Sequence, residues 1–204
     1  YEWLKQFGID QVAHKKYLSD FFTGKFPGSF GRGELYNADP TSGDARQCGT
    51  TASLCGIEKA AYEKDEKALE KAVRLDLMLH AYMLTQAGIP VIYSGDEIGQ
   101  ENDYTYHENL KKCDDSRYLH RGKFQWEKAQ LRHTEGSIQR EIFQGIHKLE
   151  TLRAAHAVFE EDAVCYTIDA WDDSILALVK EKNGEKLVAL FNFSEYDKVA
   201  WINE

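Results

Sequence analysis

Proline is nearly absent, with three in 204 residues, and methionine and cysteine are scarce at two and four. A chain this poor in proline, with 15 glycines and no period, is neither collagen-like nor low-complexity. Cys48, Cys55, Cys113 and Cys165 are scattered and form no C-x-x-C pair. That spacing excludes a disulfide scaffold and fits no common zinc site, so reduced, mostly buried thiols in a cytoplasmic protein are expected. No run of Lys or Arg exceeds a pair, and the formal net charge is −9. Non-specific binding to nucleic acid or to an anionic membrane surface is thereby disfavoured. Apolar runs fall far short of the roughly 18–20 residues of a membrane helix. The opening Tyr1-Glu2-Trp3-Leu4-Lys5 has no basic start followed by an apolar stretch, so no signal peptide is expected.

What is present belongs to a globular chain: 43% hydrophobic, 12% aromatic and 29% charged residues. A chain of this size can bury roughly 70% of its unfolded surface. By length alone it reads as one medium domain, or a domain with a small module.

From Tyr1 to about Gly56 the sequence reads as loop-rich. Gly24, Gly28, Gly31 and Gly33 interleave with Phe21, Phe22, Phe26 and Phe30, suggesting turns pinned by aromatic rings. The stretch from Asn37 through Pro40 to Asp44 reads as consecutive turns. A long helix is predicted over 58–86, charged in its first half and supported there by pairs such as Glu63–Lys67. Its second half carries an apolar stripe of Leu69, Val73, Leu77 and Leu84, with Gly88 as its C-terminal cap.

Ile89-Pro90-Val91-Ile92-Tyr93 is then almost wholly apolar, the mark of a strand covered on both faces in a parallel sheet. It stops at the acidic Ser94–Gly99 loop, and α/β folds place chemistry just past such strand ends. A second helix is expected from Ser137, as N-cap, to about Ala155. Beyond Phe159 the period becomes 2, with strands predicted at 164–168, 175–179 and 187–191 and a fourth starting near Val199. Asn183-Gly184 signals a tight hairpin between two of them.

Several polar clusters offer chemistry: Asp44 with Arg46, Asp96 with Glu97, and Asp114-Asp115-Ser116-Arg117 with His120-Arg121. Paired carboxylates suit glycosidic-bond chemistry, one protonating the leaving oxygen while another attacks or activates water. Turn Asp and Asn residues also serve the backbone alone, so each cluster by itself leaves both readings open. His107, His120, His133 and His147 lack metal-ligand spacing, and Asp114-Asp115 has no third oxygen ligand at a recognisable step. No metal or cofactor is expected.

The run from Ala87 to Gly99 resembles the segment of the α-amylase family of glycoside hydrolases that forms the eighth barrel strand and its exit loop. Residues 26–33 (Phe-Pro-Gly-Ser-Phe-Gly-Arg-Gly), 40–46 (Pro-Thr-Ser-Gly-Asp-Ala-Arg) and 114–121 (Asp-Asp-Ser-Arg-Tyr-Leu-His-Arg), with Phe191–Tyr196, are similar to amylosucrase and its sucrose-cleaving relatives. The resemblance implies an α/β fold: the C-terminal part of a (β/α)8 TIM barrel over 1–157, then a partial antiparallel β-domain over 158–204.

It also implies retaining α-glucosyl transfer or hydrolysis acting on sucrose or a related α-glucoside, with sucrose and α-glucan as partners of the whole protein. The family's nucleophile, acid/base and stabilising acid come earlier in the fold, and its His-Asp-Asp motif does not occur here. No catalytic residue is therefore expected, and the chain alone should be inactive. Arg117 matches an arginine that closes the floor of the glucosyl pocket against an upstream Asp. With that Asp absent from the chain, Arg117 should be unpaired or redirected. Arg46 matches an acceptor-side arginine, Lys15 stands where another is found, and Asp96 and Glu97 are expected to orient their loop.

The alternatives are a non-catalytic carbohydrate-binding or interaction module, or an α-glucosidase or sucrose hydrolase that forms no glucan. A barrel alone needs about 250 residues, so the apolar surfaces of an isolated partial barrel should drive self-association.

Overall fold

In a computed structural model the described residues are 2–39 and 41–202. Tyr1, Pro40, Asn203 and Glu204 lie outside them, so those ends of the expected domains, and Pro40 of the expected turn run, lie outside too. The elements in order are α1 (Glu2–Lys5), α2 (Gln11–Phe22), β1 (Glu34–Tyr36), β2 (Arg46–Cys48), α3 (Thr51–Cys55), α4 (Ile57–Glu63), α5 (Glu66–Thr85), α6 (Trp126–Gln130), α7 (Ile138–Ala155), β3 (Val164–Ile168), β4 (Ile175–Lys182) and β5 (Glu185–Asn192). Short 3-10 turns punctuate the loops between α5 and α7. The sheets are small and antiparallel, β1-β2 and β3-β4-β5, and the described residues form no closed barrel. No described helix is long and apolar enough to cross a membrane.

Two compact units emerge, Tyr1–Asp76 with Tyr93–Phe143, and Leu77–Ile92 with Gln144–Glu204. In the first, the expected loop-rich start is corrected: Gln11–Phe22 is helical, capped by the Asp10 carboxylate accepting from Ala13 N at 2.7 Å. The aromatic pins are there, Phe21 packing edge-on against Phe30 at 4.9 Å and Tyr17 against Phe26 at 4.8 Å. Gly33 is required by contact, because a Cβ there would lie 2.6 Å from the Cys48 carbonyl. Ile57, Val73, Ile98, Leu119 and Ile142 are fully buried in this unit.

The single helix expected over 58–86 is two. Lys64 turns left-handed at φ 57°, its N–H closing on the Ala60 and Ala61 carbonyls, and the Asp65 carboxylate accepts from Ala68 N at 3.0 Å to start α5. An Asp at a helix start satisfies an otherwise orphaned N–H, which an uninterrupted helix cannot offer it. The break separates Glu63 from Lys67; Lys59–Glu63 and Glu70–Arg74 pair instead.

In the second unit α5 stops at Thr85, three residues before Gly88, which is left-handed at φ 94°. The last four carbonyls of a helix have no partner within it. Here two cations supply donors. Arg153 of α7 donates to the Leu84 carbonyl, to Gln86 O at 3.0 Å and to Gly88 O at 2.7 Å. Lys180 of β4, 1% exposed, donates to Thr85 O at 3.0 Å. Positive charge at this end also opposes the negative pole of the helix dipole. Burial, with Arg153 nearby, holds the Lys180 ammonium below the usual lysine range.

The other predicted features of this region follow the sequence closely. Ser137 caps α7, accepting from Arg140 N at 3.2 Å. The turn Asn183-Gly184 has φ of 52° and 82°, the two-residue hairpin geometry. It sets β4 against β5 so that Val179 faces Val188 and Lys182 faces Glu185. Phe191 packs edge-on against Tyr82 at 5.5 Å.

Two strand expectations fail among the described residues. Ile89–Tyr93 joins no ladder, and Ile89 and Val91 are 92% and 74% exposed. A strand buried on both faces needs neighbours on both sides, and none of the described strands pairs with it. Val199–Ile202 likewise joins no ladder; its Trp201 N–H makes a single bond to Ala170 O at 3.3 Å. All four cysteines are unbridged, but only Cys48 and Cys55 are buried, and Cys165 on the β3 edge is exposed.

Candidate functional site

Of the residues singled out by sequence, Asp44 and Arg46 lie in the β1-β2 hairpin of the first unit, Lys15 bonds to Asp44, and Arg117 stacks on Tyr36 of β1. The hairpin's ladder sets Glu34 opposite Cys48 and Tyr36 opposite Arg46. Directly opposed residues of an antiparallel pair project from the same face. One face of the hairpin therefore carries Glu34, Cys48, Tyr36 and Arg46.

That face meets the 103–121 loop. Ser116 Oγ donates to Leu35 O at 2.8 Å, tying the loop to β1. Tyr106 Oη donates to the Glu34 carboxylate, and His107 Nε2 lies 2.9 Å from the same group. Burial, reinforced by Glu34, pushes the Tyr106 hydroxyl well above the usual phenol range. Cys48 is also raised by burial.

Arg117 is redirected within the chain. Its Nε and Nη2 each lie 2.8 Å from an oxygen of Asp115, and its backbone N–H reaches the same carboxylate at 3.0 Å. The guanidinium lies 4.5 Å from the centre of the Tyr36 ring. A planar fork suits both contacts at once, gripping a carboxylate edge-on while its face stacks on an aromatic. The Arg117 contacts hold the Asp115 carboxyl down at about 2, and Asp115 holds the guanidinium charged. Two of its five N–H donors are used on Asp115, leaving the rest for a ligand.

Lys15 on α2 donates to Asp44 Oδ1 at 2.9 Å, at the turn that leads into β2. Asp44 therefore pairs with Lys15 rather than with Arg46 two residues on. Upstream in the same turn, Asp39 accepts from Ser42 Oγ at 2.6 Å and Thr41 N at 2.8 Å, which lowers its carboxyl, Ser42 most of all. Arg46 is exposed and makes no ion pair or side-chain hydrogen bond among the described residues.

Asp96 and Glu97 act on their own loop: Asp96 accepts from Tyr93 N at 3.2 Å and Glu97 from Gly95 N at 2.8 Å. Asp114 is exposed, its neighbour the Cys113 thiol at 3.9 Å. His120 Nδ1 is buried without a hydrogen-bond partner, its ring edge-on to Tyr93 at 5.9 Å, and burial lowers its pKa. Among the described residues no three His, Cys, Asp or Glu side chains gather to hold a metal ion.

Sequence reasoning missed Tyr36, since three-residue strands joined by a nine-residue loop leave no periodic signal. It missed the buried support beneath the hairpin as well. Asn102 accepts from Thr50 N at 2.9 Å and donates to the Arg32 carbonyl, while Tyr104 Oη donates to Glu58 at 2.7 Å. Burial pushes the Tyr104 hydroxyl up to about 12. These partners lie some 46–70 residues apart in sequence, out of reach of any local pattern.

No family model matches the chain. Over 137 residues it is 26% identical to glucosylglycerate phosphorylase of Escherichia coli (strain K12). The match takes in 66% of this chain and 24% of that protein, so the chain spans about a quarter of the length of the curated relative. That likeness fits a glycosyl-handling family of enzymes.

Proposed function

We propose that this chain is the C-terminal portion of a larger enzyme of the α-amylase family that transfers or hydrolyses α-glucosyl groups with retention. The observation that carries the reading is the 137-residue likeness to a part of glucosylglycerate phosphorylase. It is joined by the motif series at 26–33, 40–46, 87–99 and 114–121. In this reading residues 1–157 hold the last strand-helix units of the barrel, and Ile89–Tyr93 is a barrel strand whose neighbours come from elsewhere in the protein. Residues 158–204 begin the β-domain, and the chain alone self-associates through its uncovered apolar segment.

The chemistry is divided accordingly. A retaining mechanism needs a carboxylate nucleophile and a carboxylic acid about 5–5.5 Å away. Asp44, Asp96 and Glu97 are engaged with Lys15 and with backbone N–H groups, which supports leaving the catalytic roles to residues outside this chain. What this chain supplies is grip. Arg117, oriented by Asp115 and Tyr36, presents its remaining donors to glucosyl hydroxyls or to a facing carboxylate. Arg46 and Lys15 lie on the acceptor side. The donor is sucrose or a related α-glucoside, and the relative's name adds inorganic phosphate to water and glucan as an acceptor.

The test is a donor screen on a longer protein carrying this segment, with sucrose and glucosylglycerate, each with and without phosphate. Release of fructose or of α-glucose 1-phosphate is expected, and Arg117→Ala should abolish it. Cleavage of starch alone, with both donors inert, overturns the substrate assignment.

A further inference from the structure

We propose that one end of the second unit's sheet is a docking surface for a segment of a partner protein that presents arginine beside an apolar side chain. The surface is the β3-β4 loop, residues 169–174, with the tail that wraps it. Three ties hold loop and tail together. Phe193 N donates to Ser174 O at 2.8 Å, Lys198 Nζ to Asp172 Oδ2 at 3.0 Å, and Trp201 N to Ala170 O at 3.3 Å. On this framework stand Trp171, Phe193, Tyr196, Val199 and Trp201, each between 54% and 75% exposed. Exposed apolar side chains gathered in one place mark an interaction site, and aromatic residues are enriched at the centres of protein interfaces.

Trp171 is the telling residue. Its backbone is left-handed at φ 58°, a conformation that glycine or asparagine adopts readily and a bulky side chain only under strain. The turn is held from both sides: Asp169 Oδ1 accepts from Trp171 N at 2.7 Å, and Asp172 Oδ1 accepts from Ser174 N at 2.9 Å. Yet the indole remains 67% exposed, so burial within the chain does little to offset the strain. What the indole contributes therefore lies in contact with another molecule.

Charge decides what that molecule is. Residues 169–175 and 193–202 hold Asp169, Asp172, Asp173, Glu195 and Asp197 against one cation, Lys198, which Asp172 engages. Five carboxylates less one ammonium leave a formal charge of −4 around the aromatic side chains. A rim of that sign repels nucleic acid and anionic lipid. It attracts arginine, whose guanidinium can stack on an indole while its charge faces the carboxylates. An uncharged sugar gains nothing from the net charge of the rim.

The test follows the four indole N–H signals of the 204-residue chain by NMR, assigned by replacing each tryptophan with phenylalanine in turn. A blocked peptide alternating leucine and arginine is titrated beside one alternating leucine and glutamate, and beside maltoheptaose. The arginine peptide should shift the Trp171 and Trp201 signals saturably and leave those of Trp3 and Trp126 in place. Raising the ionic strength from about 0.05 M to about 0.5 M should weaken this binding severalfold, since exposed charges are screened. Trp171→Asn, which suits the left-handed backbone, should weaken it at least about tenfold with the circular dichroism intact. Asp173→Asn with Asp197→Asn should weaken it too, and flatten its salt dependence. No saturable shift at Trp171 or Trp201, equal binding of the glutamate peptide, or binding undiminished in Trp171→Asn overturns the proposal. So does a salt dependence unchanged in the double aspartate variant. Preferential binding of maltoheptaose at these indoles makes the patch a glucan surface instead. Shifts of the same two signals on diluting the chain alone make it a contact between copies. Either result overturns the proposal as well.

Discussion

Replacing Arg153 by methionine isolates the closure of the α5 C-terminus, because methionine keeps an apolar stem in place while removing the guanidinium. Three carbonyls lose their donor: those of Leu84, Gln86 and Gly88. Gln86 and Gly88 are exposed or half-buried and can turn to water, whereas Leu84 is buried. A buried carbonyl left unsatisfied costs about 1–3 kcal/mol, and a cation lost from a helix C-terminus about 0.3–1 kcal/mol. The expected destabilisation is about 2–3 kcal/mol. With a urea slope of about 1–3 kcal/mol/M, the unfolding midpoint should fall by about 1 M without a change of slope. Urea titration followed by far-ultraviolet circular dichroism reads this directly. Arg153→Lys restores one charge but not the three-way reach, and should recover roughly half the loss. A shift under about 0.5 kcal/mol, or a lysine variant no better than methionine, would refute the reasoning.

Three further outcomes are expected. Lys180 has its pKa lowered in the fold, so between that value and its unfolded value the unfolded chain binds more protons and stability rises with pH; urea midpoints from pH 7 to 10 should show wild type gaining on Lys180→Met as pH increases. Gly56 is left-handed at φ 98°, with Phe30 Cβ 2.9 Å from where a Cβ would stand, so Gly56→Ala should lower the melting temperature, at a cost of about 1–3 kcal/mol. Ile89 and Val91 each forgo about 1.5–3 kcal/mol of burial, so the 204-residue chain should sediment as an oligomer and Ile89→Lys with Val91→Lys should shift it toward monomer; a monodisperse wild-type monomer counts against that expectation.

Where the sequence was readable, the signal was local. Ser137 three residues before a helical N–H, Asn183-Gly184 between alternating runs, and two carboxylates after a glycine turn each act within a few residues of themselves, and each does what its chemistry suggests. The break at Lys64-Asp65 was local too, but the charge pattern on either side is helical and masks a capping aspartate in its midst. Ile89–Tyr93 shows the opposite limit. Its composition speaks of being covered, yet nothing in five residues says which strands cover it. Of the candidate site, Arg117, Arg46 and Lys15 were named as site residues only through the family resemblance, and the Asp115 carboxylate that grips Arg117 lay in the same motif. Tyr36, the surface on which Arg117 rests, depends on a register between strands ten residues apart, and no motif encodes that.

The tie from Lys180 to the Thr85 carbonyl also acts as an alignment pin. Strand β4 runs Ile-Leu-Ala-Leu-Val and then Lys-Glu-Lys, so its aliphatic half alone does not say which residue belongs at the helix end. A slip of one residue would bring either Val179 or Glu181 to the end of α5. The first offers no donor, and the second sets a carboxylate against a row of carbonyl oxygens. The buried lysine thus makes one placement of the hairpin against the helix acceptable and its nearest competitors costly, while the Asn183-Gly184 turn holds the register of its two strands.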